Sequence, residues 1–430
     1  MGSKEKLGLW SIVLLGINGV VGSGVYLLPG KAYALMGPSS LWGYVLDTLL
    51  VLVIALCFAE TGGMFDKTGG PYLYAKEAFG DFVGFEVGIM KWAISIIAWA
   101  TMAVGFATAL SVFWPSAATG TLKNVIAISI IVVLSIVNYF GVSITKYLNN
   151  IVTVAKLLPL ILFVIIGVFF IKGSNFVATP EINTAANLGP ALILIFYAFT
   201  GFESLAVAAG DMENPKKNVP IALMITMILA SVIYILTQAV AIGTLGTSLA
   251  KSTAPVADSA KAFLGEFGVI LVTLGTLISI GGINVAASFN TPRAGVALAE
   301  GGILPMVIAK KSKYGTPYIA IIITALLAIP LVLTGGFVKL AMISVISRFA
   351  QYIPTSLAVI VLRKREDLPS TFRIPFGPTI PIVAVVVSLW LLTKATSEQI
   401  IWGLGGLVIG VPLYFILKYT VKHGSNNLTT

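Results

Sequence analysis

Residues 7–36 read LGLWSIVLLGINGVVGSGVYLLPGKAYALM, an apolar stretch long enough to cross a lipid bilayer. Gly22, Ser23 and Gly24 follow one another near its middle. Three small residues together, two of them glycine, weaken an α-helix at a depth where lipid offers the backbone no other hydrogen-bond partner. Pro29 suits the first turn of a second half-helix. The stretch predicts an interrupted transmembrane helix, although small residues also occur where membrane helices pack closely.

The composition predicts that lipid surrounds most of the chain. Hydrophobic residues make up 57% of the 430 residues and charged residues only 10%, whereas about 25% of the residues of a soluble domain are charged. So few charges cannot cover a water-facing surface of this size. Apolar runs predict an all-α integral membrane protein of about twelve spans, near 9–35, 41–64, 82–112, 124–142, 147–171, 189–209, 219–246, 267–292, 317–335, 338–362, 380–395 and 399–419.

Lysine and arginine divide unevenly between alternate loops, which predicts a multi-pass plasma-membrane protein with both termini in the cytoplasm. The net charge of +10 is spread over these loops, so it suits anionic lipid and does not call for a nucleic-acid partner. The outer segments carry only Lys31, Lys123, Lys172, Lys251, Lys261 and Lys394. The inner segments carry Lys4, Lys6, Lys67, Lys76, Lys146, Lys216, Lys217, Lys310, Lys311, Lys313, Arg363, Lys364, Arg365, Arg373, Lys418 and Lys422.

The sixth span contains a second predicted interruption. Its sequence, ALILIFYAFTGFESLAVAAG (residues 191–210), has Thr200, Gly201 and Glu203 at its centre. A carboxylate at that depth is costly unless it faces a cavity or a partner. Corresponding breaks in two halves of a chain indicate an inverted-repeat transporter. The repeats would be residues 1–172 and 189–362, with residues 380–419 forming two peripheral helices.

Two such breaks side by side have a definite binding chemistry. Unwinding frees backbone N–H groups at the start of one half-helix, and these donors suit a carboxylate. Carbonyls freed at the end of the opposite half-helix suit an ammonium. The pair can therefore bind the head group of an amino acid without a charged side chain.

Four segments, in order along the chain, resemble the amino acid–polyamine–organocation superfamily of permeases, and in particular bacterial exchangers related to L-type amino-acid transporters and arginine/agmatine antiporters. The first is GVVGSGVYLLP in the first span, and the most specific is FTGFESLAVAAGDMENPKKNVP at residues 199–220. The others are TGGPYLYAKEAFG at residues 68–80 and SFNTPRAGVALAEGGILP at residues 288–305. The resemblance implies a LeuT-like 5+5 inverted repeat with broken helices 1 and 6.

The resemblance also implies a substrate site. Backbone groups of Val21, Gly22, Ser23 and Gly24 would bind the carboxylate of the substrate. Tyr197 would gate the pocket from outside, and Trp99 would lie near the side-chain subsite. The ammonium would be received by carbonyls near Ile17, Asn18, Tyr197, Ala198 and Thr200.

Two intramembrane charges complete the predicted site. In sodium-independent relatives, a fifth-helix lysine replaces the cation that sodium-coupled members hold between the first and eighth helices, and Lys156 matches that lysine. It would bond a freed carbonyl of the first span and the hydroxyl of Ser288. Lys156 could instead extend its ammonium to the inner surface, and within the site its charge could be fixed or could exchange a proton. Glu203 could tie the unwound segment to neighbouring backbone, sense protons or bind a cation.

A neutral L-amino acid is the predicted substrate, because Trp99, Met102, Ala103 and Phe106 give the third span an apolar pocket face. An amino acid/amine antiporter remains an alternative, because the Glu203 carboxylate could bind an amine. A proton-coupled symporter remains another, because Lys156 could exchange a proton. A non-transporting receptor would need signalling segments that the loops lack, and a channel would need a selectivity filter. The GSG sequence lacks the context of a phosphate loop, and no other enzyme motif is found. We therefore predict a protein that is not an enzyme and that has no cofactor and no metal. The oligomeric state stays open.

Overall fold

The computed structural model describes residues 6–67, 69–141, 146–177, 182, 184–207, 209–368 and 370–426. Over these ranges the chain forms sixteen α-helices. In chain order they are α1 (Leu9–Val20), α2 (Ser23–Leu27), α3 (Pro29–Met36), α4 (Ser40–Gly62), α5 (Pro71–Phe79), α6 (Asp81–Leu110), α7 (Gly120–Tyr139), α8 (Lys146–Gly167), α9 (Thr184–Phe199), α10 (Glu203–Val207), α11 (Pro215–Leu245), α12 (Pro255–Glu300), α13 (Tyr318–Leu333), α14 (Phe337–Leu362), α15 (Thr379–Thr393) and α16 (Ser397–Asn426).

Each apolar run predicted to span the membrane coincides with helix. Seven helical segments within the described residues are long and apolar enough to cross a bilayer, and five further apolar helices are shorter. The shorter ones include α1 and α9, which end at the two predicted interruptions. The eighth span differs most from its prediction, because α12 continues to Glu300 and contains a turn at Gly265, where φ is +60°.

The outer surface of the bundle is apolar, as a surface in contact with lipid should be. On α16, Val408 and Ile409 are 75% and 67% exposed, and on α13 Leu326 is 62% exposed. In water, an apolar surface of this extent would drive association. The chain is therefore a multi-pass membrane protein whose polar residues collect inside the bundle.

The two interrupted helices lie in the middle of that interior. The helix α1 packs against α11, and α2 packs against α6, α9 and α12. Every residue from Val20 to Gly30 is buried, and so is every residue from Ala191 to Thr200. Other helices thus enclose the first break, whereas at the second break Gly201 is half-buried and Gly19 and Ser204 beside it are exposed.

Candidate functional site between two broken helices

The first break opens the backbone between α1 and α2. Val21 is extended, with φ −75° and ψ 99°, and Gly22 has φ −135° and ψ −146°. Carbonyls at the end of α1 and N–H groups at the start of α2 therefore lose their helical partners. One of these carbonyls, that of Ile17, still accepts a hydrogen bond from the Val21 N–H at 2.8 Å.

Side chains from α8 and α11 satisfy three of the freed carbonyls. The Lys156 Nζ donates to the carbonyl of Asn18 at 2.7 Å and to that of Val21 at 2.8 Å. The Tyr234 hydroxyl donates to the carbonyl of Val20 at 3.0 Å. Lys156 is fully buried, so its charge lies at the negative end of α1, where a cation is stabilised.

The predicted link between Lys156 and Ser288 is not formed in this structure. The Ser288 hydroxyl donates to the carbonyl of Val285 in its own helix at 2.7 Å, an alternative that helical serines commonly adopt. The Ser288 carbonyl in turn accepts from the Asn138 side-chain amide at 2.7 Å. Ser288 therefore connects α12 to α7, while Lys156 faces α1.

The second break, between α9 and α10, touches the first through the backbone. Gly201 has φ +111°, a conformation open to glycine and rarely to other residues. A Cβ atom at this position would collide with the carbonyl oxygen of Gly19. The Tyr197 carbonyl already accepts from the Thr200 N–H at 3.2 Å and from its hydroxyl at 2.8 Å. Of the five carbonyls predicted to receive an ammonium, those of Ile17, Asn18 and Tyr197 thus already accept hydrogen bonds.

Glu203 closes this second break and is paired. Its carboxylate accepts from the Gly201 N–H at 3.0 Å, the Tyr352 hydroxyl at 3.2 Å and the Arg348 Nε at 2.9 Å. Both members of the ion pair are buried, so each one offsets the desolvation cost of the other. Glu203 is thus tied to the unwound segment and to Arg348 of α14, while its roles in sensing protons or binding a cation stay predictions.

The two breaks face each other across one polar contact. The hydroxyls of Ser23 and Tyr197 lie 3.1 Å apart, and Ser23 also lies 3.4 Å from the sulfur of Met102. The Tyr197 ring packs edge-on against Phe337, with 5.6 Å between the ring centroids. These side chains come from α2, α6, α9 and α14, so this point joins both halves of the chain.

The glycines of the first break differ in what surrounds them. A Cβ atom on Gly24 would lie 2.5 Å from the Cα of Ala198, so this glycine permits the close packing of α2 on α9. A Cβ atom on Gly22 would instead meet the ends of two flexible side chains, Ile283 at 2.9 Å and Met102 at 3.3 Å. Gly22 therefore faces side chains that can move, whereas Gly24 faces rigid backbone.

Trp99 lies on α6, one turn from Met102, and is 1% exposed. Among the described residues, its indole Nε1 has no hydrogen-bond partner. Near it, the Asn284 side chain donates to the Met102 carbonyl at 3.0 Å. Asn284 is not among the residues predicted from the sequence, although an amide in the middle of an apolar span is itself a signal for a buried polar contact.

Two further ion pairs lie near the ends of helices. Arg363 forms two hydrogen bonds to the Glu60 carboxylate, at 2.5 and 2.6 Å. Lys339 pairs with Glu398 at 2.6 Å. These contacts join α4 to the segment after α14, and α14 to α16, away from the two breaks.

A helical membrane bundle with two broken helices in contact, and with a charge-compensated polar centre between them, has the construction of a permease for a small solute. A family model described as amino acid permease matches residues 7–415. The chain belongs to this family, and it is a transporter rather than an enzyme.

Proteins similar to this chain over nearly its whole length carry transporter names. An uncharacterized transporter of Mycobacterium tuberculosis is 35% identical, with 97% of this chain and 92% of the relative covered. The serine/threonine exchanger SteT of Bacillus subtilis is 31% identical, with coverages of 97% and 98%. The branched-chain amino acid permease BcaP of Bacillus subtilis is 27% identical, with coverages of 99% and 95%.

Proposed function

We propose that this protein is a sodium-independent transporter of neutral L-amino acids that works by alternating access, chiefly as an exchanger in the plasma membrane. The observation that carries the proposal is the position of Lys156. Its ammonium donates to two carbonyls freed by the break in α1, where an inorganic cation would otherwise be needed to neutralise them. Because Lys156 supplies this positive charge, a sodium ion is not needed at that position.

The pairing of Glu203 supports a neutral substrate. A carboxylate that already accepts from Arg348, Tyr352 and Gly201 has little capacity left for a substrate amine. The third-span face that carries Trp99 and Met102 is apolar apart from the indole N–H. These features weigh against the amino acid/amine antiporter. The relatives named for branched-chain amino acids and for serine/threonine exchange point in the same direction.

The binding mode that we propose follows the two breaks. The N–H groups of Gly22, Ser23 and Gly24 at the start of α2 receive the substrate carboxylate. The carbonyls of Ala198 and Thr200 receive the ammonium, because the other predicted carbonyls already have donors. Tyr197 covers the bound amino acid, and the Trp99 N–H faces its side chain.

The architecture that we propose around this site is a LeuT-like 5+5 inverted repeat. Twelve spans cross the membrane, and residues 1–172 and 189–362 form the two repeats. Residues 380–419 form two peripheral helices, and both termini lie in the cytoplasm. The lysine and arginine asymmetry between alternate loops supports this orientation.

Counterflow in proteoliposomes tests the function. Vesicles loaded with one unlabelled neutral amino acid are diluted into a labelled panel of neutral amino acids, cationic amino acids and amines, with and without sodium. We expect transient accumulation of neutral amino acids alone and no effect of sodium. Counterflow confined to amines or cationic amino acids would contradict the substrate class, and accumulation driven by a sodium gradient would contradict the role of Lys156.

A further inference from the structure

A buried polar seam runs between α4 and α11, next to the first break. Two contacts fix the register of these antiparallel helices. The Gln238 side chain donates to the Ser40 hydroxyl at 2.8 Å, and near the other end Gly62 lies against Val219. This register places Tyr44 opposite Tyr234. The seam consists of Ser40, Tyr44 and Asp47 on α4 and of Tyr234, Thr237 and Gln238 on α11, none of which is more than 1% exposed.

The seam reaches from one end of the bundle to the broken helix. Ser40 and Gln238 lie where α4 begins and α11 approaches its end, and Gln238 also contacts the Pro29 carbonyl at 3.4 Å. Further along, Tyr234 donates to the Val20 carbonyl at the break. Asp47 stands one turn beyond Tyr44 on the same face of α4, because positions i, i+4 and i+7 of a helix share one side.

Asp47 has no hydrogen-bond partner for either carboxyl oxygen among the described residues. The seam contains three more buried polar atoms without protein partners in that part of the chain, the Tyr44 hydroxyl, the Thr237 hydroxyl and the Gln238 carbonyl oxygen. Buried polar groups are normally paired. Their concentration along one line indicates a path that water or protons can use, rather than an ordinary packing surface.

Charged groups on the helices around α4 do not compensate Asp47. Tyr44 stands one turn before Asp47 on α4, and Tyr234 lies opposite Tyr44 on α11. On α10 and α14, Glu203 and Arg348 pair with each other, and α15 carries no titratable residue between Thr379 and Thr393. The remaining groups are engaged elsewhere or lie near helix ends: Tyr197 with Ser23, Tyr352 with Glu203, Lys339 with Glu398, Glu60 with Arg363, Lys31 and Tyr33 on α3, and Lys216 and Lys217 at the far end of α11.

An ionised carboxylate without a partner is costly in a bundle surrounded by lipid. Asp47 therefore holds a proton in this conformation. A different arrangement of the helices at the break, with water admitted along the seam, would allow Asp47 to release that proton. A group that carries a proton across a membrane needs two such conformations, one in which it holds the proton and one in which it releases the proton to water.

We propose that Asp47 is the proton-binding site of the transport cycle, loaded along the α4–α11 seam, so that an inward proton gradient drives net amino-acid uptake in addition to exchange. This inference rests on the proposed amino-acid transport, to which it adds the coupling ion. Glu203 is paired with Arg348 and Glu60 with Arg363, so within the described residues Asp47 is the carboxyl group on α4 and α10 that has no protein partner.

The test uses the Asp47→Asn variant of the full chain in proteoliposomes. Asparagine has the shape of the neutral carboxyl group, so we expect the variant to fold, to reconstitute and to retain counterflow close to the wild-type rate. Wild type should accumulate amino acid when the outside is acidified, up to an inside-to-outside concentration ratio whose limit is about tenfold per pH unit for one proton per cycle. Asp47→Asn should lose this accumulation and give a flat pH profile.

The matched control is Glu86→Gln. Glu86 is a second buried carboxylate without a partner among the described residues, but it lies on α6 against Gly410 of α16, away from both breaks. We expect this variant to keep proton-driven accumulation. Three results would each overturn the proposal. They are proton-driven accumulation by Asp47→Asn, loss of that accumulation in Glu86→Gln alone, and a wild type that shows no accumulation in response to the proton gradient.

The same measurements separate this inference from the proposed function. Counterflow without proton-driven accumulation in wild type leaves amino-acid transport standing and removes the role of Asp47. Absence of counterflow with every amino acid of the panel overturns both. An Asp47→Asn protein that fails to fold would mean that the ionised carboxylate is required here, which also contradicts the proposal.

Discussion

The Lys156→Met variant tests how much the broken helix depends on one ammonium. Methionine keeps most of the length of the lysine stem but supplies neither a donor nor a charge. The carbonyls of Asn18 and Val21 would lose hydrogen bonds of 2.7 and 2.8 Å. Hydrogen bonds to a charged group contribute about 1.5–3 kcal/mol each, so the gross loss is about 3–6 kcal/mol.

Two effects of this loss have to be separated. Removing a buried ammonium also relieves its desolvation, which costs at least about 2.5 kcal/mol at membrane depth. The free energy of unfolding should therefore change little. The geometry of the break has no such compensation, because the two carbonyls repel each other without a cation. A shift of about 3 kcal/mol against the binding-competent break corresponds to a loss of apparent affinity of about 150-fold.

Counterflow at low substrate concentration measures the loss of affinity, and thermal unfolding in detergent measures the fold. The matched control is Lys123→Met, because the Lys123 ammonium likewise donates to a backbone carbonyl, that of Gly335 at 2.8 Å, but away from both breaks. We expect the control to exchange normally. Normal exchange by Lys156→Met would refute the reasoning, and so would an equal loss in both variants.

Three further substitutions test the geometry of the site. Arg348→Met should lower stability by about 3–5 kcal/mol, because it removes the cation that offsets the desolvation of the Glu203 carboxylate. Adding Glu203→Gln should restore most of the melting temperature, and failure of this restoration would count against the ion pair. Gly24→Ala should lower the melting temperature through its clash with α9, whereas Gly405→Ala, with open space at its Cβ position, should not; equal melting temperatures would contradict the packing. Tyr197→Phe should weaken exchange with little effect on stability, since it removes one hydrogen bond worth about 1 kcal/mol, and unchanged counterflow would dissociate that contact from transport.

The sequence predicted the interruptions because their causes are local. Gly22 and Gly201 stand where the backbone leaves the helix, and no distant residue is needed to see that glycine weakens a membrane helix. The predicted contact of Lys156 with the first span is also present. That contact was inferred from a family resemblance, since composition alone would equally have allowed the lysine to reach the membrane surface.

Pairings between distant side chains were beyond the reach of a single sequence. Arg348 and Glu203 lie 145 positions apart, and the sequence around either residue does not indicate the other as its partner. Asp47 is fully buried and has no hydrogen-bond partner among the described residues, which the apolar pattern of its span does not indicate. Helix register decides such contacts, and register depends on packing that the apolar pattern of a membrane helix leaves open.

The contact between Gly19 and Gly201 has a mechanical consequence. The carbonyl oxygen of one break occupies the space that a side chain on the other would need, so neither can tilt far without displacing its neighbour. The two breaks are then expected to move together. The contact therefore opposes independent movement of either break, and a bulkier residue at position 201 would push the two breaks apart and uncouple their movements.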